Sequence, residues 1–228
     1  YRLPLNKPFI FSRSNCPNCK VQIPLYRNIP IISFLIQLGK CHACRNRISF
    51  QYPTIEILTA FLWYWGSTHL YSYDAMLFIA LTNILIVISF IDYKIMEINL
   101  KLILLSIIIL FIYGLFNIDN IPNMLLGSIV GFGYLGFVFL ITSLLFKKET
   151  MGLGDLQLIV ILGAWVGPGN ILIAIFLASL IGVAFWLITS IFYKYNTNMA
   201  LPFAPFLSIG ATITCMMDFN LLNYLIGY

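Results

Sequence analysis

Charge is scarce in this chain: Asp, Glu, Lys and Arg together make up 9% of its 228 residues, while hydrophobic residues make up 61%. A soluble domain carries about 25% charged residues. With a mean hydropathy of +0.93, a soluble fold of this size has nowhere to hide so much apolar surface. That excludes an ordinary globular domain and makes lipid the main solvent. Acid is missing altogether before Glu56. No internal repeat and no low-complexity segment is visible beyond the apolar runs. No signal peptide is visible either, and none is needed where the helices themselves insert.

What charge there is lies unevenly. Arg2, Lys7, Arg13, Lys20, Arg27, Lys40, Arg45 and Arg47 put eight of the thirteen basic residues in the first fifty. A polybasic segment beside a membrane favours the cytoplasmic side and anionic headgroups. Nucleic acid is not the expected partner, because these residues flank a cysteine motif and a membrane span rather than a helix or sheet built for phosphate contact.

Residues 1–53 form the polar part, and residues 54–228 are nearly continuous apolar sequence with short polar punctuation. The expected architecture is an all-α polytopic membrane protein. Its seven transmembrane helices lie near 54–72, 75–91, 99–116, 123–146, 156–166, 170–193 and 203–226. The span at 156–166 is short for a bilayer, which takes about 20 residues, and must run shallow or extend back through Asp155. With residues 1–53 inside, Lys94, Lys101, Lys147, Lys148 and Lys194 all fall on the inner side. The outer loops near 73, 117–122 and 167–169 carry no Lys or Arg, as the positive-inside rule requires. Asp92 and Asp155 share the inner side; Asp74 and Asp119 fall on the other, and Asp218 lies in the outer half of the last span.

The five cysteines include two C-x-x-C pairs, Cys16-Pro-Asn-Cys19 and Cys41-His-Ala-Cys44. Each pair makes a tight turn that points two thiolates at one ion, and two such turns close a tetrahedral four-thiolate site, the usual form of structural zinc. Redox pairs or unpaired thiols are the plainer alternative. With four sulfurs the ion keeps no open position for water, so its work is to hold together a small zinc-ribbon-like domain, residues 1–53. His42 sits inside the second pair, where thiolates outcompete imidazole. His69 reads as a surface or interface residue and Cys215 as a buried apolar filler.

Asp92 ends an apolar run, and Asp155 stands in Gly152-Leu153-Gly154-Asp155 before another. Carboxylates near membrane depth are costly and mark function. Two that share a site cannot both ionise easily: one holds a proton and acts as the acid, while the other activates water. That division of labour hydrolyses a peptide bond. Gly152 and Gly154 are expected to leave the backbone open to a substrate chain. The plainer reading is an ordinary helix-end charge for Asp92 and a helix cap for Asp155. Glu56 follows Pro53, and a first-turn glutamate complementing the helix dipole accounts for it. Glu97 and Glu149 read as solvated loop charges.

Longer motifs carry a family resemblance. Cys16-Pro-Asn-Cys19, Ile23-Pro-Leu-Tyr26, Asn28-Ile-Pro30, Gly39-Lys-Cys41, Ile48-Ser49 and Tyr52-Pro-Thr-Ile-Glu56 resemble the cytoplasmic domain of type IV prepilin peptidases. Ile91-Asp92 and Gly152-Leu-Gly-Asp155 resemble that family's catalytic aspartates. Leu201-Pro-Phe-Ala-Pro-Phe206 resembles its signature before the last helix. The resemblance spans essentially the whole chain. Asn99 stands where the family usually has proline, and Gln157 where it often has lysine; neither disturbs the aspartates. The resemblance implies an inner-membrane aspartic endopeptidase with its active site at the cytoplasmic face, cleaving the basic leader from prepilins and pseudopilins. It also implies methylation of the new N-terminus from S-adenosylmethionine, with Glu56 the acid to test first, although no glycine-rich strand–helix loop is visible. In the family the stretch at Tyr1 follows a further transmembrane helix, which makes eight. An ion-coupled transporter or a zinc-stabilised membrane scaffold without protease activity are the competing classes; the transporter predicts acids deeper in the spans.

Overall fold

The computed structural model describes residues 13–147, 151–192 and 201–226, with side chains of the last helix described through residue 217. Arg2, Lys7, Lys148, Glu149, Lys194 and the side chain of Asp218 lie outside the described residues. The chain forms two compact units, Tyr1–Ala75 and Met76–Tyr228.

In the first unit two short turns repeat one path. The isolated antiparallel bridges Asn15–Gln22 and Lys40–Arg47 bracket the two C-x-x-C pairs. In the first turn the Cys16 N–H donates to Val21 O and the Lys20 N–H to Cys16 O. In the second the Cys41 N–H donates to Asn46 O and the Arg45 N–H to Cys41 O. Lys20 and Arg45 occupy equivalent places with φ of 60° and 57°. That left-handed region is costly for a side chain with a Cβ, so closing each turn outweighs a local penalty. Between the turns lie a 3₁₀ turn, Leu25–Arg27, and a short helix α1 (Ile32–Ile36).

Helix α2 (Gln51–His69) follows. It starts three residues before the expected span, so Pro53 is its third residue, where the missing N–H would have had no partner anyway. Glu56 therefore lies in the second turn, not the first, and macrodipole complementarity does not explain it.

The remaining helices are α3 (Ser72–Ile95), α4 (Leu100–Phe116), α5 (Ile121–Phe146), α6 (Leu153–Val166), α7 (Pro168–Phe192) and α8 (Ala204–Ile226). Together with α2 they coincide with the seven expected spans. α3, α5 with the 3₁₀ turn before it, and α7 are long and apolar enough to cross a membrane, and α4, α6 and the described part of α8 are shorter apolar helices. The protein is a multi-pass membrane protein. α6 does reach back through Asp155. At 1.5 Å per residue its 14 residues give roughly 21 Å, still short of a bilayer core of about 30 Å. Gly167, at φ 84°, ends it and Pro168 opens α7.

The core of the second unit is built on close backbone approach. A Cβ on Gly127 of α5 would overlap the carbonyl oxygen of Gly163 of α6, and one on Gly163 would overlap that of Gly127. Beside this crossing the Ser128 hydroxyl donates to Val160 O at 2.9 Å. With lipid outside, helices gain little from hiding apolar groups and associate through such small-residue contacts. Buried hydroxyls elsewhere donate within their own helix: Thr82 to Phe78 O, Ser106 to Leu102 O and Ser208 to Ala204 O. Apolar surroundings leave them no other partner. Cys215 is half-buried rather than buried.

Candidate active site and metal centre

Among the described residues, Asp92 and Asp155 are the only charged side chains that are buried, 5% and 8% exposed. Asp92 lies in the last turn of α3, where the helix dipole opposes a negative charge. Its Oδ2 accepts the backbone N–H of Ala204, the first residue of α8, at 3.2 Å. That N–H is one of the donors a helix start leaves without an intrahelical partner.

Asp155 lies in the first turn of α6, whose N-cap is Gly152. It is therefore not the cap itself. Its carboxylate reaches back toward the Gly152 N–H, as the third residue of a capping box does. Asp92 lies close enough for its charge to act on Asp155. The ring of Phe78 on α3 meets that of Trp165 on α6 at 5.9 Å between centroids. α3 and α6 thus run antiparallel, with this ring pair at one end and the two carboxylates at the other.

The two glycines before Asp155 differ. A Cβ on Gly152 would meet only Asp155 Oδ2 at 3.7 Å and Gly154 N at 4.0 Å, whereas one on Gly154 would lie 2.9 Å from Ile98 Cβ. The expectation that both leave the backbone open holds for Gly152 alone. The space at Gly154 is filled by Ile98, which locks the segment after α3 onto the start of α6. Ile98 and the Ala204 N–H are the parts of the site that the motifs did not announce. For Ala204 the signal present was Leu201-Pro-Phe-Ala-Pro-Phe206, whose chemistry was unread.

In the first unit the four sulfurs of Cys16, Cys19, Cys41 and Cys44 lie within 4.8 Å of one another. Cys16–Cys44 is 3.9 Å and Cys19–Cys41 is 4.0 Å. A tetrahedral ion with metal–sulfur bonds of about 2.3 Å needs sulfurs roughly 3.8 Å apart, and a disulfide needs about 2.05 Å. The cluster fits a metal ion, and no disulfide is formed among these four cysteines. Backbone N–H groups of Cys19 and Asn18 draw the Cys16 thiol below its ordinary range, and the Asn46 N–H does the same for Cys44. At Cys19 the Val21 N–H pulls down, but burial and the neighbouring sulfurs win and push it up to about 11.

Glu56 accepts the backbone N–H of Ile31 at 2.7 Å. Ile31 sits at φ 60°, ψ −52° ahead of α1, a conformation strained for a β-branched residue. The carboxylate therefore ties α2 to the turn that starts α1. A cavity of about 460 Å³ lies nearby in the chain, lined by Arg13, Ser14, Gln22, Ile23, Pro24, Leu25 and Asn28. Its lining carries a guanidinium and no acid, which suits neither the sulfonium nor the amine of S-adenosylmethionine. That pocket is therefore not assigned to the cofactor.

Comparison with known proteins agrees with this arrangement. Residues 1–70 match the profile of the bacterial peptidase A24 N-terminal domain, and residues 79–187 that of the type IV leader peptidase family. A prepilin leader peptidase/N-methyltransferase of Neisseria gonorrhoeae is 35% identical over 213 residues, covering 88% of this chain and 69% of that protein. A protein of the same name from Pseudomonas aeruginosa is 33% identical, covering 91% and 72%. One from Legionella pneumophila is 32% identical, covering 95% and 76%. No solved structure matches. A profile over the helices that carry both aspartates, together with relatives aligned along most of their length, establishes that the chain belongs to the type IV leader peptidase family.

Proposed function

We propose that the chain is a membrane aspartic endopeptidase that removes the basic leader from prepilins and pseudopilins and N-methylates the new N-terminus. Asp92 and Asp155 form its catalytic pair. The observation that carries this reading is the burial of these two carboxylates, and of no other described charge, with Asp92 near enough for its charge to be felt at Asp155. A pair so placed shares a proton more readily than it bears two charges. The charged member takes a proton from water as the water attacks the scissile carbonyl. The protonated member donates to the carbonyl oxygen and then to the leaving amine. Gly152, where a Cβ would meet nothing closer than Asp155 Oδ2 at 3.7 Å, lets an extended substrate backbone approach.

The domain division proposed is a four-cysteine metal domain in residues 1–53 and a transmembrane protease domain in 54–228. Zinc is the proposed ion, held by Cys16, Cys19, Cys41 and Cys44 in a structural role. S-adenosylmethionine, when bound, supplies the methyl group; Glu56 is the first acid to test for a part in that transfer, and its bond to Ile31 favours positioning over contact. The proposed location is the bacterial inner membrane, with the aspartates at the cytoplasmic face and the basic N-terminal segment against anionic lipid. An ion-coupled transporter would place its acids deeper, and gives no reason for a four-thiolate cluster.

The test is cleavage of a purified prepilin by the wild-type chain, Asp92→Asn and Asp155→Asn, with transfer of labelled methyl followed in parallel. Loss of cleavage in both variants is expected. Full cleavage by either would remove the aspartyl mechanism.

A further inference from the structure

The segment Leu201-Pro-Phe-Ala-Pro-Phe206 has a chemistry that the motif alone did not reveal. Pro202 and Pro205 have no N–H, and the Leu207 N–H is used by Phe203 O. The start of α8 is thus thinned of backbone donors around Ala204, whose N–H points at Asp92 Oδ2. Ala204 is fully buried, so no water competes for that donor. Two anchors fix its position. The Phe206 ring packs on Phe185 of α7, 5.6 Å between centroids, in room left by Gly182, where a Cβ would come within 3.3 Å of the ring. One turn on, Gly210 lies against the Ala174 carbonyl.

We infer that this proline-flanked start of α8 is a positioning device for Asp92: the Ala204 N–H orients the carboxylate, and Phe206 holds the donor in place. The inference rests on the reading of Asp92 as catalytic. It explains how a carboxylate survives at the unfavourable end of α3, since the positive end of α8 is turned toward it. It also explains two prolines beside one alanine. A proline at the second helical position costs no intrahelical bond, and it removes the N–H next to that of Ala204.

The experiment uses the full chain in lipid nanodiscs with a prepilin substrate. Ala204 is replaced by its α-hydroxy acid, which turns the amide into an ester and deletes the N–H without adding bulk. Alanine reinstated at position 204 by the same incorporation route, which restores the N–H and the wild-type chain, is the control. Deleting a hydrogen bond to a charged group is expected to lower kcat about ten- to a hundredfold and leave KM near wild type. The acid limb of the kcat profile should move to higher pH, because the pair holds its second proton longer once a donor is lost. Phe206→Ala, with the donor present but less constrained, should show the same changes to a smaller degree. An ester variant with wild-type kcat and pH profile, alongside an inactive Asp92→Asn, would overturn the inference and leave Asp92 catalytic. Wild-type cleavage by Asp92→Asn would remove both.

Discussion

In the N-terminal unit four sulfurs converge because two short turns follow the same path; in the helical unit two buried carboxylates come from helices far apart in the chain, Asp92 from α3 and Asp155 from α6. The first arrangement is local. Each C-x-x-C closes with its own pair of hydrogen bonds, and the distance between the turns is left for an ion to bridge. The second arrangement is almost wholly non-local: Asp92, Gly152 and Ala204 come from distant parts of the chain and meet through packing. A centre of the first kind depends on its ligand, and a centre of the second kind on the fit of its walls.

Removing the ion should have the largest effect, and only in the first unit. Structural zinc contributes on the order of 10 kcal/mol to small four-ligand domains. A strong chelator is therefore expected to expose residues 13–50 to proteolysis while the helices keep their thermal transition. If the helices melt at the same chelator concentration, the two units are not independent in this sense. Metal uptake near neutral pH should release protons, since Cys19 is held at about 11 in the free cluster and ligands must be thiolates. Calorimetry in buffers of different ionisation enthalpy measures this.

Next in size are Asp92→Asn and Asp155→Asn. Each should lower cleavage by about a thousandfold or more, roughly the scale of acid–base catalysis lost, with no loss of bound metal. Gly163→Ala would press a methyl into the Gly127 carbonyl and should cost about 1–3 kcal/mol, the usual range for overpacking. It would show as a lowered melting temperature in detergent and a fall in cleavage with metal retained. Smallest is Lys20→Gly. It relieves a left-handed residue and should stabilise the first unit by roughly 1 kcal/mol; a higher chelator concentration at half-loss of protection would register it.

The same contrast decides what could be read from the residues alone. Cys16, Cys19, Cys41 and Cys44 were legible as one cluster because a C-x-x-C turn is written in four consecutive residues. Asp92 and Asp155 were legible as exceptions, since an acid beside an apolar run stands out whatever surrounds it. The seven apolar runs were legible as helices, though α2 begins earlier than Pro53 suggests. A proline tolerated at the third position looks in sequence like one that opens the helix, and the role expected for Glu56 was misread for that reason. Gly154 looked like open backbone because nothing in Gly-Leu-Gly-Asp names Ile98 as its neighbour. The donor at Ala204 was illegible for the same reason: a backbone N–H carries no signature of its target.

The crossing of Gly127 and Gly163 bears on the route a substrate takes. Two helices in ordinary contact keep their axes 8–10 Å apart; where a missing Cβ lets backbone meet backbone, no third helix can slip between. The seam of α5 and α6 is therefore a closed door. A substrate helix lying in the bilayer is offered no entry between these two helices.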